Sequence, residues 1–143
     1  MNLGSGAGPM FFDMLTSTVE KKKYVNAMEE KDIESEIRTI EEMNDGFAAY
    51  AGSKALLACY TMDLAKKHPD LMVSIVSPGY IKTAMTAGMG ATKPPAEGTV
   101  SIKKCLFEEL HSSGLFYGSD GLRSPLHYLR NPGEPEFDGV VDL

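Results

Sequence analysis

Between Phe47 and Gly79 the chain changes period once, from helical to β-branched, and that change limits its fold more than any other feature of the sequence. Phe47 to Lys67 reads as one long helix. Ala48, Ala49, Ala51, Ala55 and Ala58 favour it, and Leu56, Leu57, Tyr60, Met62 and Leu64 supply apolar faces. Lys66-Lys67-His68-Pro69 ends it, with cations in the last turn and a proline just beyond. Met72-Val73-Ser74-Ile75-Val76 follows, and its length and residue types predict a buried strand. Ser77-Pro78-Gly79 breaks that strand. A long helix feeding a short buried strand predicts an α/β chain.

Tyr50 and Lys54 stand four apart near the start of this helix, so they share one face. A phenol titrates near ~10 when unperturbed, and a neighbouring ammonium favours its ionised form. The pair is therefore a candidate proton donor and acceptor for carbonyl or alcohol chemistry, with Ser5 able to hydrogen-bond the same oxygen. Six tyrosines and eleven lysines in 143 residues give about 0.5 such pairs by chance, so the pair counts for little alone. Order and context carry it: a serine upstream, Tyr-x-x-x-Lys opening an apolar helix, a β-branched strand, then Pro-Gly.

The length allows one domain at most. Residues 11–46 hold ten acids and five bases, a net of −5 out of the chain's −6. This acidic excess, with no basic stripe, argues against nucleic acid and anionic membrane surfaces as partners. Lys21-Lys22-Lys23 reads as a solvated helix face. No apolar run approaches the roughly 20 residues that span a bilayer. The start lacks the basic and apolar regions of a secretory signal, so the expected location is cytoplasmic. Cys59 and Cys105 fall in helical patterns, which suits free thiols, and no Cys/His cluster has metal-ligand spacing.

Elsewhere, Met14, Leu15 and Val19, then Ile33, Ile37 and Ile40, recur at helical spacing. Residues 11–46 thus read as an amphipathic helical hairpin packed on the body, with Asp32 as a cap and Asn44-Asp45-Gly46 as the stop. Ala96 to His111 predicts a further helix with Val100, Ile102, Leu106 and Leu110 inward. Leu115-Phe116-Tyr117 predicts a last short strand, and the tail from Gly118 irregular structure. Met85 to Pro95, rich in Gly, Thr and Pro, reads as a loop.

The succession Ser5, Tyr50-Ala51-Gly52-Ser53-Lys54, Val73–Val76 and Pro78-Gly79 resembles the catalytic half of the short-chain dehydrogenase/reductases. The long spacer between Ser5 and Tyr50 is most similar to the carbonyl-reductase subgroup. The resemblance runs from Asn2 onward and is most specific over 47–86. It implies the C-terminal portion of a doubly wound, Rossmann-like parallel sheet, with residues 11–46 as an insertion before the tyrosine helix and 47–143 carrying the helix, strand, Pro-Gly loop and C-terminal part. It implies Ser5, Tyr50 and Lys54 as catalytic residues. Tyr50, Lys54, Pro78, Gly79, Ile81 and Thr83 would meet the nicotinamide end of a cofactor, NADP(H) in preference to NAD(H), with no metal. The substrate implied is a small-molecule ketone or aldehyde, with Tyr80, Met85 and Met89 as candidates for an apolar wall, and the complete protein is expected to be monomeric.

Gly4-Ser5-Gly6-Ala7-Gly8 is glycine-rich but has only a stub of strand before it, so it is a poor fit to a pyrophosphate turn. The expectation is that the dinucleotide-binding half lies outside these residues. Two readings remain: an NAD(P)H-dependent carbonyl reductase in which this chain supplies the proton-transfer half, or a catalytically silent remnant that binds a partner through exposed helix faces.

Overall fold

The structure, a computed structural model, describes residues Met1–Leu143. In chain order its elements are β1 (Asn2–Leu3), α1 (Ala7–Met14), α2 (Thr18–Lys23), α3 (Glu30–Glu42), α4 (Gly46–Lys67), β2 (Ser74–Val76), α5 (Val100–Phe107) and β3 (Leu115–Tyr117). The three strands form one parallel sheet in the order β1-β2-β3, with Asn2 opposite Ile75 and Ile75 opposite Phe116. Side chains alternate across a strand. Ile75 accordingly clusters with Ala58 of α4, while Ser74 on the other face lies beside Cys105 of α5. Helices therefore cover both faces of the sheet, the α/β arrangement expected of the sequence.

α4 is the spine. Asp45 caps it by accepting from the backbone N–H groups of Phe47 and Ala48, both at 2.8 Å. Asn44 ends the preceding segment at φ 47°, a left-handed conformation that asparagine tolerates. The stop foreseen at Asn44-Asp45-Gly46 thus divides into a left-handed residue and a helix cap. One side of α4 faces the sheet; the other packs on α1 and α3, with Ala51, Ala55, Leu56 and Cys59 against Phe11, Leu15, Tyr24, Met28 and Ile40.

Those last five residues all come from 11–46, so the helices here are more than a surface hairpin: they supply one wall of the main core. Three helices replace the expected two. α1 begins at Ala7, before the anticipated segment, and α2 is set off by a Ser17–Glu20 capping box that periodicity could not reveal. Asp32 lies in the first turn of α3 and does not cap it. Met14, Val19 and Ile37 are exposed although their spacing suggested a buried face: α2 buries no residue, and α3 buries only Ile40 against α4. Tyr24 donates from its hydroxyl to Glu36 at 2.7 Å, and Lys23 Nζ meets the same carboxylate at 2.6 Å. Burial, helped by Glu36, raises the Tyr24 phenol above its ordinary range. Beneath it Cys59, a free buried thiol, donates to the Lys23 carbonyl and is pushed up to about 12 by burial.

α5 is shorter than Ala96–His111. A 3-10 turn over Glu97–Thr99 precedes it, and the backbone turns extended at Glu108. Ser101 is its buried residue, whereas Val100 and Leu106 are exposed and not inward. The packing of α5 on the end of β2 accounts for the rotation: Ser101, fully buried, donates from its Oγ to the Ser77 carbonyl at 2.9 Å. The tail is irregular but anchored. Arg130, almost wholly buried, donates to Asp120, Ser124 and the Glu134 carbonyl. No helix is long and apolar enough to cross a membrane.

Two tests follow from this packing. A Cβ on Gly52 would stand 2.6 Å from Ile40 Cδ1, with Ile40 Cγ1 and Cγ2 close behind. Overpacking of about 1–3 kcal/mol should exceed the gain of up to about 1 kcal/mol from adding an alanine to a helix. Gly52→Ala is therefore expected to lower the urea midpoint, and adding Ile40→Val to restore part of it. For Asp120, burial opposes ionisation, but the Arg130 hydrogen bond and charge outweigh it and lower the carboxyl from 3.8. Its folded value lies below its unfolded one, so its stabilisation is complete above about pH 4 and is lost as pH falls through the lower folded value. Asp120→Asn should lower stability at pH 7 and flatten the acid limb of a stability-versus-pH curve.

Candidate active site

The carboxyl end of β1 lies beside Lys54 of α4, and the carboxyl end of β2 lies beside that of β1. β1 is short and is held as much by α4 as by its ladder. Asn2 Nδ2 donates to Thr61 Oγ1 at 2.9 Å, and Lys54 Nζ donates to the Leu3 carbonyl at 3.3 Å. Gly4 N–H continues the ladder to the Val76 carbonyl at 2.8 Å. Gly8 has no Cβ because one would stand 3.2–3.3 Å from the backbone of Lys54 and Ala55. The first turn of α1 is thus packed directly against α4 at Lys54 and Ala55.

Tyr50 and Lys54 do share a face. The Lys54 ammonium stands over the Tyr50 ring, 5.8 Å from its centroid, and reaches on to Leu3, two residues before Ser5. Tyr50 is 42% exposed, open to a reactant from solvent. The Ser5 hydroxyl accepts from Ala7 N–H at 3.1 Å, which fixes its rotamer at the head of α1.

The Pro78-Gly79 turn lies at the same edge. Gly79 adopts φ 81°, and a Cβ there would come within 2.7 Å of Ser119, so both conformation and space demand glycine. Ile81 pairs with Lys93 in a parallel bridge, and its side chain packs against Gly98, so it faces inward and its backbone lines the loop. Thr83 caps a short 3-10 turn over Ala84–Thr86 and is exposed. Tyr80 donates to the Met89 carbonyl at 2.6 Å and closes the base of a loop whose outer surface carries Met85 and Met89.

A polar contact that the sequence did not single out joins these parts. Ser77 Oγ accepts from Gly6 N–H at 3.1 Å and from Gly79 N–H at 3.2 Å. The signal was present, since a serine directly before Pro-Gly often turns its hydroxyl to a backbone N–H two residues on. Its second donor, 71 residues away in sequence, could be seen only in the fold.

The glycine-rich turn is a poor fit to the phosphates of a dinucleotide. The turn from Gly4 to Gly8 does sit between a strand and a helix, as a pyrophosphate site would. Four of its five amides, however, are already engaged: Gly4 with Val76, Gly6 with Ser77, and Ala7 and Gly8 with Ser5. The glycines at 4 and 8 serve close packing against Ile75 and Lys54. No cluster of His, Cys, Asp and Glu could hold a metal ion.

No protein-family model matches the chain. Salutaridine reductase of Papaver bracteatum is 41% identical over 70 residues, which is 49% of this chain and 22% of that protein. A protein named short-chain dehydrogenase/reductase 1, from Saponaria officinalis, is 36% identical over 70 residues, 49% of this chain and 23% of its own. The solved structure of salutaridine reductase from Papaver somniferum superposes with a TM-score of 0.64 at 28% identity, covering 81% of this chain and 43% of that one. The chain spans under a quarter of the length of these two sequence relatives and less than half of the solved structure. Over those parts, in sequence and in fold, it resembles the short-chain dehydrogenase/reductases, named reductases among them.

Proposed function

We propose that the chain carries the proton-transfer portion of a carbonyl reductase that uses a nicotinamide cofactor. The observation that supports this best is the contact at the head of α4: Lys54 lies over the Tyr50 ring and is bonded to Leu3, two residues before Ser5, while Gly8 of α1 packs on the Lys54 backbone. In this reading Tyr50 delivers a proton to the oxygen of a ketone or aldehyde as hydride reaches its carbon. The Lys54 charge stabilises the tyrosinate left behind. Ser5 hydrogen-bonds the developing alkoxide, a small oxyanion site that acts in the transition state. When bound, the cofactor supplies the hydride, and Tyr50, Lys54, Pro78, Gly79 and the 81–83 backbone would hold its nicotinamide end. NADP(H) is the form we favour, on the subgroup resemblance. Tyr80, Met85 and Met89 would offer the substrate an apolar wall, and the role of 11–46 as an insertion that keeps the complete protein monomeric belongs to the same proposal.

A chimera tests the assignment, with residues 2–143 replacing the matched part of the Papaver somniferum enzyme. Carbonyl-dependent oxidation of NADPH should fall roughly 10²–10⁴-fold in Tyr50→Phe, which keeps the ring and removes the hydroxyl. Lys54→Met should also depress turnover strongly. Retention of most of the turnover in Tyr50→Phe would sink the role given to it.

The 143-residue polypeptide alone is expected to bind neither NADPH nor NADH in the micromolar range, because four of the five amides of the 4–8 turn are engaged internally. Calorimetric titration checks this, and saturable micromolar binding would show that another surface holds the phosphates.

A further inference from the structure

We infer that Ser77 is a positioning residue, which fixes the Ser5 loop and the Pro78-Gly79 turn relative to one another through a single hydroxyl. The inference rests on the reading of those two segments as substrate- and cofactor-facing, and adds to it the group that keeps them in register.

Ser77 is 5% exposed and is held on three sides. Its N–H donates to the Tyr117 carbonyl at 2.9 Å, continuing the β2–β3 ladder, and its own carbonyl accepts from Ser101 of α5 at 2.9 Å. Its backbone therefore belongs to the rigid sheet. Its Oγ accepts from Gly6, the residue after Ser5, and from Gly79, two residues ahead. A serine hydroxyl has two acceptor lone pairs, so both donors can be satisfied at once. The segments it joins leave neighbouring strands, one ending β1 and the other leaving β2, and beyond the ladder bond from Gly4 N–H to the Val76 carbonyl this hydroxyl is what ties them. Ser5 itself is bonded only locally, to Ala7 and Gly8, so its loop is referenced to the second strand at the residues on either side, by Gly4 to the Val76 carbonyl and by Gly6 to the Ser77 hydroxyl. A Ser5 hydroxyl meant for an alkoxide and a turn meant for a nicotinamide must agree in position to a fraction of an ångström. Ser77 supplies that agreement from a residue that needs to touch neither.

The test reads backbone amides in the full 143-residue chain by ¹H–¹⁵N correlation and hydrogen exchange. Ser77→Ala should shift the Gly6 and Gly79 amides together and speed their exchange by roughly tenfold each. Amides of α4 and the urea midpoint should change far less. Ser77→Thr keeps the hydroxyl and should restore both amides; Ser77→Cys serves if the extra methyl is not accommodated, with partial restoration expected from a weaker acceptor. Ser101→Ala removes a neighbouring buried hydroxyl without touching either amide and should leave both in place. The inference is overturned if Ser77→Ala moves neither amide, moves only one, or speeds exchange uniformly across the sheet and α4. Because the measurement reads geometry and not turnover, such a failure would leave the role of Tyr50 standing, and loss of that role would leave the amide result intact.

Discussion

The parallel ladder through Ser74–Val76 sets the position of everything at the candidate site. β2 is three residues long, yet it pairs with β1 on one side and β3 on the other and takes a helix on each face. Parallel strands need both faces covered, and so short a strand contributes few ladder bonds of its own. Stability therefore has to come from what is stacked on it. The ladder runs on beyond the strands, from Gly4 to Val76 and from Ser77 to Tyr117, so the loops bearing the chemistry begin in hydrogen-bond register with one another.

α4 converts that register into a site. It touches the sheet through Ala58, receives Asn2 at Thr61 and sends Lys54 back to Leu3. Its opposite side takes Phe11, Leu15, Tyr24, Met28 and Ile40. A helix buried on two sides cannot slide along its axis without breaking both contacts, and this keeps the Tyr50–Lys54 turn at a fixed height above β1. The many small residues of α4, with Gly52 under Ile40 and the Gly8 contact at Lys54, allow neighbouring backbones to approach closely enough for that clamp.

Much of this could be read from residue order. The helix over 47–67, the strand that ends at Val76, the strand at 115–117 and the Pro-Gly turn are signalled by periodicity and by backbone-restricted residues, which act locally. Ser5, Tyr50 and Lys54 stand out in the sequence only through residue order, and of them the structure shows Lys54 beside the Tyr50 ring. What escaped depends on tertiary rotation. Val100 and Leu106 have a helical apolar period, but the fit of Ser101 against Ser77 decided which face turned inward. The division of 11–46 into three helices rested on Ser17 and Glu20, two polar residues whose reciprocal bonds carry no hydrophobic signal. Ser77 looked like the end of a strand because one of its two donors lies 71 residues away.

Cys59 gives the core a built-in gauge. The thiol sits under the Tyr24–Glu36–Lys23 cluster, in contact with the Lys23 carbonyl, and burial holds it in its neutral form. Only the thiolate reacts with alkylating reagents. Labelling at this position therefore requires the α2–α3 cover to lift away from α4. Cys105, half-buried on α5, has no such cover and records the opposite face of the sheet. The two sulfurs report separately on breathing of the two helical layers, without any probe being introduced.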